Sequence, residues 1–444
     1  MAREGKPAAT GATDPSAATE NAAPSVGHGH ALNGRLAILL AVVIATAAGF
    51  VLCGYELLRT TANTLYAEAY GKKGFSFILA LVPIGVTIVV FVYSRLLSRL
   101  GPRLTLYAST LLAVMTMLAC YFGIKLGIKP MRGVLFVFKE SYVVLLVEQL
   151  WSYINSMLSR ESGKKLNGLI CAIASIGAIA GAEMLHQLSA RFGTVNMIVL
   201  AALTTLPAIV MAELVFRRHG EPQRPPVASG AKVDHLGLSL FRKERMLLLL
   251  ICLIGAGQLL ATVTDFAFRG QLNDQFPSAD AQNAFSGRYY AWLNGLAMIA
   301  QLFAVPVIIG LVPLRYIHIT IPLIHIGSCA YLFLYPSLFS AGFAYMVFKV
   351  ADYSIFRASK ELLYVPLSFD VRYRAKEIID VFGYRVSKGV TSIAITLLQS
   401  VHIILSTGML ALLGMAGAGA WLLLVLPIAR HDAARRAAAP TLAT

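Results

Sequence analysis

RLAILLAVVIATAAGFVLCGYELL, Arg35 to Leu58, carries no charge between Arg35 and Glu56. A membrane-spanning helix needs about 20 predominantly apolar residues, and this run is long enough to cross. The same pattern recurs along the chain. FSFILALVPIGVTIVVFVY begins at Phe75, LTLYASTLLAVMTMLACYFGI at Leu104 and MIVLAALTTLPAIVMAELVF at Met197, and LALLGMAGAGAWLLLVLPIA ends just before Arg430. About twelve such segments can be placed. The composition agrees, with 57% hydrophobic residues, 14% charged residues and a mean hydropathy of +0.69. An ordinary soluble domain carries roughly 25% charged residues. The expected class is an all-α membrane protein.

The loops set the orientation. The net charge of +16 would suit a nucleic-acid binder in a soluble protein. Here cytoplasmic loops that collect Lys and Arg explain it, and no nucleic-acid partner is expected. Arg95, Arg99 and Arg103 fall between the second and third segments. Arg160, Lys164 and Lys165 fall between the fourth and fifth, and the basic stretch 216–245 between the sixth and seventh. These alternate loops share one side, which puts both termini in the cytoplasm and the chain in the cell (inner) membrane. The expected organisation is a cytoplasmic tail over 1–33, a six-helix half over 34–216, a basic linker over 217–245, a second six-helix half over 246–430 and a tail over 431–444. Two six-helix halves joined by a long basic loop is the major facilitator layout. The short loop YSRLLSRLGPRLTL (93–106) resembles the loop between the second and third spans of that superfamily.

Enzyme signatures are absent from the sequence: no GxxxxGK[ST], HExxH or GxSxG occurs, so neither ATP hydrolysis nor another enzymatic activity is expected. Cys53, Cys120, Cys171, Cys252 and Cys329 lie in apolar runs without CxxC or His-spaced clusters, which fits small buried hydrophobes and no metal or other cofactor. The HGH at 28–30 sits in an Ala/Gly/Pro-rich tail and reads as structureless.

Polar groups inside spans are costly in lipid and usually face a cavity or a partner. Glu148 and Gln149 interrupt the fourth span, and Glu148, Trp151 and Asn155 share a helical face. Asp265 and Arg269 are spaced i, i+4 and Lys349 and Asp352 i, i+3, so each pair can bond on one face. Lys376 and Asp380 are i, i+4, and Arg385 and Lys388 are i, i+3. Gln258, Gln301, His325 and Gln399 are lone polar groups, expected to hydrogen-bond between helices. A cavity in which Lys and Arg outnumber acids favours an anionic solute, because Arg forks onto phosphate or carboxylate oxygens.

One stretch narrows this further. KELLYVPLSFDVRYRAKEIIDVFGYRVSKG (360–389) resembles a segment of the ATP/ADP translocases, the NTT-type nucleotide carriers of obligate intracellular bacteria and plastids. Those carry K-E-x-x-Y-x-P-L and then K-x-x-I-D-x-x-G-x-R-x-x-K. Here stand Lys360, Glu361, Tyr364, Pro366 and Leu367, then Lys376, Ile379, Asp380, Gly383, Arg385 and Lys388, with the same gaps. YELLRTTANTL (55–65) resembles the family's L-R-D-T-K-D segment, and EQLWSY (148–153) its E-L-W-G-S segment. DFAFRGQLNDQFPSADAQNAFSGRY (265–289) resembles its E-V-x-W-K-x-x-L-K-x-Q-[YF]-P segment and the x-A-F-x-G beyond it. The resemblance implies the twelve-helix major facilitator fold and exchange of nucleotides by alternating access. It also implies a substrate or gate set of Arg59, Glu148, Gln149, Asp265, Arg269, Lys349, Asp352, Lys376, Asp380, Arg385 and Lys388.

The departures matter equally. Arg59 is kept, but Thr60, Ala62 and Asn63 replace the family's Asp, Lys and Asp. Gln149 replaces an acid, Asp265 a Glu and Arg269 a Lys. Asp352 and Arg357 stand where the family has Lys and Asp. Three readings therefore remain open on the sequence: a nucleotide carrier, a proton-coupled transporter of another metabolite, and a non-transporting membrane sensor or scaffold. A lipid bilayer, a small anionic solute and a monomeric state are expected. The 360–389 stretch itself reads either as a basic cytoplasmic loop or as the charged start of the eleventh span, facing a central cavity.

Overall fold

The structure, a computed structural model, describes residues 34–158, 160–221, 245–364, 379, 383–401, 403 and 405–438. Nearly all of these are helical, and no strand element forms among them. Lys376 and Asp380, and most of the expected 217–245 linker, lie outside the described residues.

The first helix, α1 (Gly34–Lys125), breaks where Gly71 (φ 67°) and Gly101 (φ 76°) adopt left-handed backbone. Glycine takes this conformation without a Cβ penalty. Between the first break and Lys125, the stretch Gly74–Lys125 has 52 residues. At about 1.5 Å per residue it is more than twice the roughly 30 Å hydrocarbon core of a bilayer. The turn at Gly101–Pro102 is where it must double back. Then come α2 (Pro130–Met157), α3 (Arg160–Phe192), and a single 3-10 turn into α4 (Met197–Thr205) and α5 (Pro207–His219).

The second part begins with α6 (Arg245–Gln275). Next, α7 (Ala279–Ile299) passes through a π-helical turn into α8 (Val305–Leu311), and α9 (Leu314–Leu334) comes after it. The Ser278 hydroxyl caps α7 by accepting from the Ala281 amide at 3.2 Å. α10 (Leu338–Ala351) continues through a π-helical turn at Asp352–Phe356 into α11 (Arg357–Tyr364). α12 (Tyr384–Ser400) and α13 (Thr407–Ala438) complete the order. Helix thus persists beyond 430, into the expected C-terminal tail.

Among the described residues, 8 helices are long and apolar enough to cross a membrane. α2 fails that test only in composition, because Lys139, Glu140 and Glu148 interrupt it. The outward faces are apolar: Phe77, Ile84, Met115, Trp292 and Phe339 are all exposed, as suits side chains solvated by lipid. Cys252 is exposed among them, while Cys53, Cys120 and Cys329 are buried and Cys171 is half-buried. The expectation that all five cysteines are buried fails at Cys252, since a greasy span also needs lipid-facing positions.

Among the described residues four apolar clusters fill the interior, and two of them stay within one part each. One uses only residues from 37 to 216, with Leu57, Leu58, Leu135, Leu185 and Ala201 fully enclosed. The other uses only residues from 246 to 428, around Leu250, Phe348 and Trp421. The two parts meet along close helix pairs. Gly287 on α7 lies so near α3 that a Cβ there would sit 2.5 Å from the His186 nitrogen and 2.7 Å from the Ala182 oxygen. Gly389 on α12 lies against Pro83 of α1, 2.8 Å from its Cγ by the same measure. His186 Nδ1 and the Ala284 carbonyl are 2.7 Å apart across the first seam.

Candidate substrate site

Charged side chains from both parts converge on the interior between them. On α1, Arg59 pairs with Glu56 one turn back. Its guanidinium also lies over the ring of Tyr290 from α7, 3.8 Å from the centroid. A desolvated cation–π contact of this kind is worth about 2 kcal/mol. Arg59 is 7% exposed and Glu56 4%, so neither charge is stabilised by bulk water and each needs the other.

On α2, Lys139 pairs with the neighbouring Glu140 and faces the Phe136 ring at 4.1 Å. Glu140 Oε1 also receives Lys388 of α12, with Nζ at 3.7 Å. Arg269 is within electrostatic reach of the same carboxylate. On α6, the Arg269 Nε donates to Asp265 Oδ1 at 2.8 Å, and the guanidinium lies 4.9 Å from the Phe75 ring of α1. On α10, Lys349 reaches Asp352 at 3.8 Å and sits 5.0 Å from the Tyr353 ring. Asp352 and Tyr353 occupy the π-helical turn, a distortion often found at functional sites. Arg357 is within electrostatic reach of Asp352, and Arg385 of Glu140 and Glu148.

Lys349 is also within electrostatic reach of Asp265 and Arg59, so of the residues named from sequence, Arg59, Asp265, Arg269, Lys349, Asp352, Arg385 and Lys388 join one electrostatic network. Lys388 lies in the first turns of α12 and bonds across the interface, so at this position the 360–389 stretch is the start of a helix rather than a free loop. Glu148 is exposed, within electrostatic reach of Arg385 and Tyr93. Gln149 turns elsewhere: its Nε2 donates to the Ser109 hydroxyl at 3.0 Å. Trp151 packs on the first core, so the face expected for Glu148 and Trp151 is not a single cavity wall. Ala62, which stands where the family has a Lys, is fully buried in the first core. His325 is buried between Phe348 and Trp421, 5.4 and 5.7 Å from their rings. Gln399 fits the interhelical expectation, accepting from Ser76 at 2.9 Å.

Glu56, Lys139 and Glu140 were not singled out from sequence. Glu56 was detectable, being i, i+3 to Arg59 inside an apolar run. Lys139–Glu140 looks like the charged end of a span, and only the long-range contact with Lys388 gives it meaning.

Away from the basic loops, the network adjoins a cavity of about 390 Å³ between α1, α6, α7, α12 and α13. That lies within the roughly 300–1,000 Å³ range of small-molecule sites. Beside it, a buried polar knot ties the two parts. Asn283 of α7 is fully enclosed; its Oδ1 accepts from Thr64 at 2.7 Å, and its Nδ2 reaches Thr194 at 3.2 Å and Thr61 at 3.4 Å. Asp280 accepts from the Thr194 amide and hydroxyl at 2.7 and 2.6 Å.

Three comparisons bear on this arrangement. The family model described as "TLC ATP/ADP transporter" matches residues 194–431. The ADP,ATP carrier protein 3 of Rickettsia felis is 20% identical in an alignment covering 73% of this chain and 74% of that carrier. The nucleoside transporter NupG superposes with a TM-score of 0.63 at 11% identity, covering 88% of this chain and 98% of that one. A D-xylose–proton symporter gives 0.58 at 13% identity, covering 86% and 97%. The structural likenesses establish the fold, which is of the major facilitator type. The match over more than half the chain, together with the fold and the buried ion-pair network, identifies this multi-pass membrane transporter as a member of the TLC ATP/ADP transporter family.

Proposed function

We propose that the protein carries a nucleotide across the membrane by alternating access, rocking residues 34–216 against 246–430 about the charged interface. The observation that carries this reading is the concentration of cations from both parts at one seam: Arg59 and Lys139 on one side, and Arg269, Lys349, Arg385 and Lys388 on the other. A polyphosphate is the solute that such a set is suited to hold, since charge-assisted bonds to phosphate are strong and Arg binds two oxygens at once. The acids Glu56, Glu140, Asp265 and Asp352 keep the interior near neutrality between substrates. Lys376 and Asp380 belong to the same proposed set through the sequence resemblance.

The solute passes unmodified, and exchange of one nucleotide for another is the proposed mode. The relatives named as ADP,ATP carriers support the substrate class. The orientation proposed from the basic loops puts both termini in the cytoplasm.

Counterflow in proteoliposomes containing the purified full chain tests the proposal. Uptake of labelled ADP or ATP that requires nucleotide inside the vesicle is the expected result. No uptake, beside a working control carrier, would move the substrate to another anion or to proton-driven flux.

A further inference from the structure

The cavity of about 390 Å³ differs in character from the basic seam next to it. Arg269 stands at their junction, shared by both. Beyond it the wall is made mainly of neutral hydrogen-bonding groups and rings, with Thr60, Asn63, Phe75 and Tyr290 among them.

Asn63 has the feature that decides what such a wall is for. It is 3% exposed, and neither its Oδ1 nor its Nδ2 has a hydrogen-bond partner among the described residues. The Thr60 hydroxyl, one turn away on the same face and also 3% exposed, is unpartnered too. Their neighbours Thr61 and Thr64 are, by contrast, bonded to Asn283. A buried amide left unpaired is strongly disfavoured, and unpaired groups of this kind in a folded protein call for an explanation. Helix α1 thus satisfies one pair of polar side chains within the protein and holds another unsatisfied at a cavity wall.

A carboxamide offers a donor and an acceptor side by side. The edge of a nucleobase offers the matching acceptor and donor, and a flat base stacks on aromatic rings. Phosphates need neither group. We propose that this cavity is the subsite for the uncharged end of the substrate, with the Asn63 carboxamide hydrogen-bonding the base edge and the Thr60 hydroxyl the sugar. Phe75 supplies an aromatic surface, and Arg269 marks where base gives way to phosphate. The inference rests on the nucleotide reading above and adds a direction: the phosphates lie in the basic seam and the base lies away from the cytoplasmic loops.

The test is calorimetric titration of the purified full chain with ATP, with adenosine and with inorganic tripolyphosphate. The expected result is that the wild type binds ATP more tightly than tripolyphosphate and that adenosine competes with ATP. Asn63→Leu should weaken ATP and adenosine about tenfold, the loss of one bidentate base contact, with tripolyphosphate unchanged. Asn63→Gln, which keeps the carboxamide, should recover part of the loss. Leucine at an unpaired polar site is not expected to unfold the protein, and an unchanged melting temperature checks this. If Asn63→Leu leaves ATP and adenosine unaffected, or weakens all three ligands alike, the subsite is wrong while the nucleotide reading stands. If the wild type binds tripolyphosphate as well as ATP and ignores adenosine, both readings fall.

Discussion

Lys388 and Glu140 meet across the seam between the two parts of the molecule, with the Lys388 ammonium 3.7 Å from the carboxylate that Lys139 also holds. One acid thus serves two cations from opposite sides. Glu140→Gln leaves Lys139, only 2% exposed in its side chain, without a counter-charge. Removing one partner of a buried pair typically costs about 3–5 kcal/mol. A lower melting temperature in detergent is expected, partly restored by adding Lys139→Met. If Glu140→Gln melts like the wild type, the pair is not buried from water in the membrane.

Arg59 is positioned by shape as well as charge, between Glu56 and the Tyr290 ring. Arg59→Lys keeps the charge but loses the flat, forked guanidinium. Nucleotide exchange in proteoliposomes should fall about tenfold or more, since each charge-assisted bond is worth roughly 1.5–3 kcal/mol. Membrane insertion should be normal. Exchange at the wild-type rate would place Arg59 outside the substrate path.

Gly287 has no room for a side chain, because the atoms that a Cβ would meet are the main-chain nitrogen of His186 and oxygen of Ala182. Gly287→Ala should therefore part α3 and α7 in this conformation. Spin labels placed on these helices should report a longer distance, or a second population, relative to the wild type. An unchanged distribution would show that the seam absorbs a methyl group.

Asn283 fastens Thr61, Thr64 and Thr194 at the end of the molecule opposite the basic loops. Asn283→Ala strands the Thr61 and Thr64 hydroxyls, at a cost of about 1–3 kcal/mol for a buried group left unpaired, while the Thr194 hydroxyl keeps Asp280. Thiol reagents added from the outside should label a cysteine placed at Ala67, on the cavity wall, faster in the Asn283→Ala background. Equal rates in both backgrounds would mean that the knot does not restrain access to the cavity.

Much of this was legible in sequence wherever the relationship is local. Apolar run length reveals the helices, and spacing along one helix places Asp265 beside Arg269 and Lys349 beside Asp352, bonded at 2.8 and 3.8 Å. Contacts between distant elements were not legible. Nothing in the string FVFKESY announces that Lys388 will reach Glu140, or that Tyr290 will lie under Arg59. Those pairings depend on how the two parts meet, which periodicity does not encode. Gln149 shows the same limit: its place beside the family-like Leu150–Trp151 suggests a cavity group, and the sequence gives no sign of the hydrogen bond it makes to Ser109.

The paired acids have a further consequence for a carrier of anions. Each carboxylate tied to a seam cation is a tethered ligand, present at a high effective concentration whenever the substrate departs. On the proposed reading it would act as a built-in competitive inhibitor. An arriving polyphosphate would have to displace Glu140 from Lys388 and Asp265 from Arg269, which would weaken its binding, and the same carboxylates would return to speed its release. A carrier gains from this. Tight capture would trap its cargo at the midpoint, whereas a site that closes on its own acids can let go on either side.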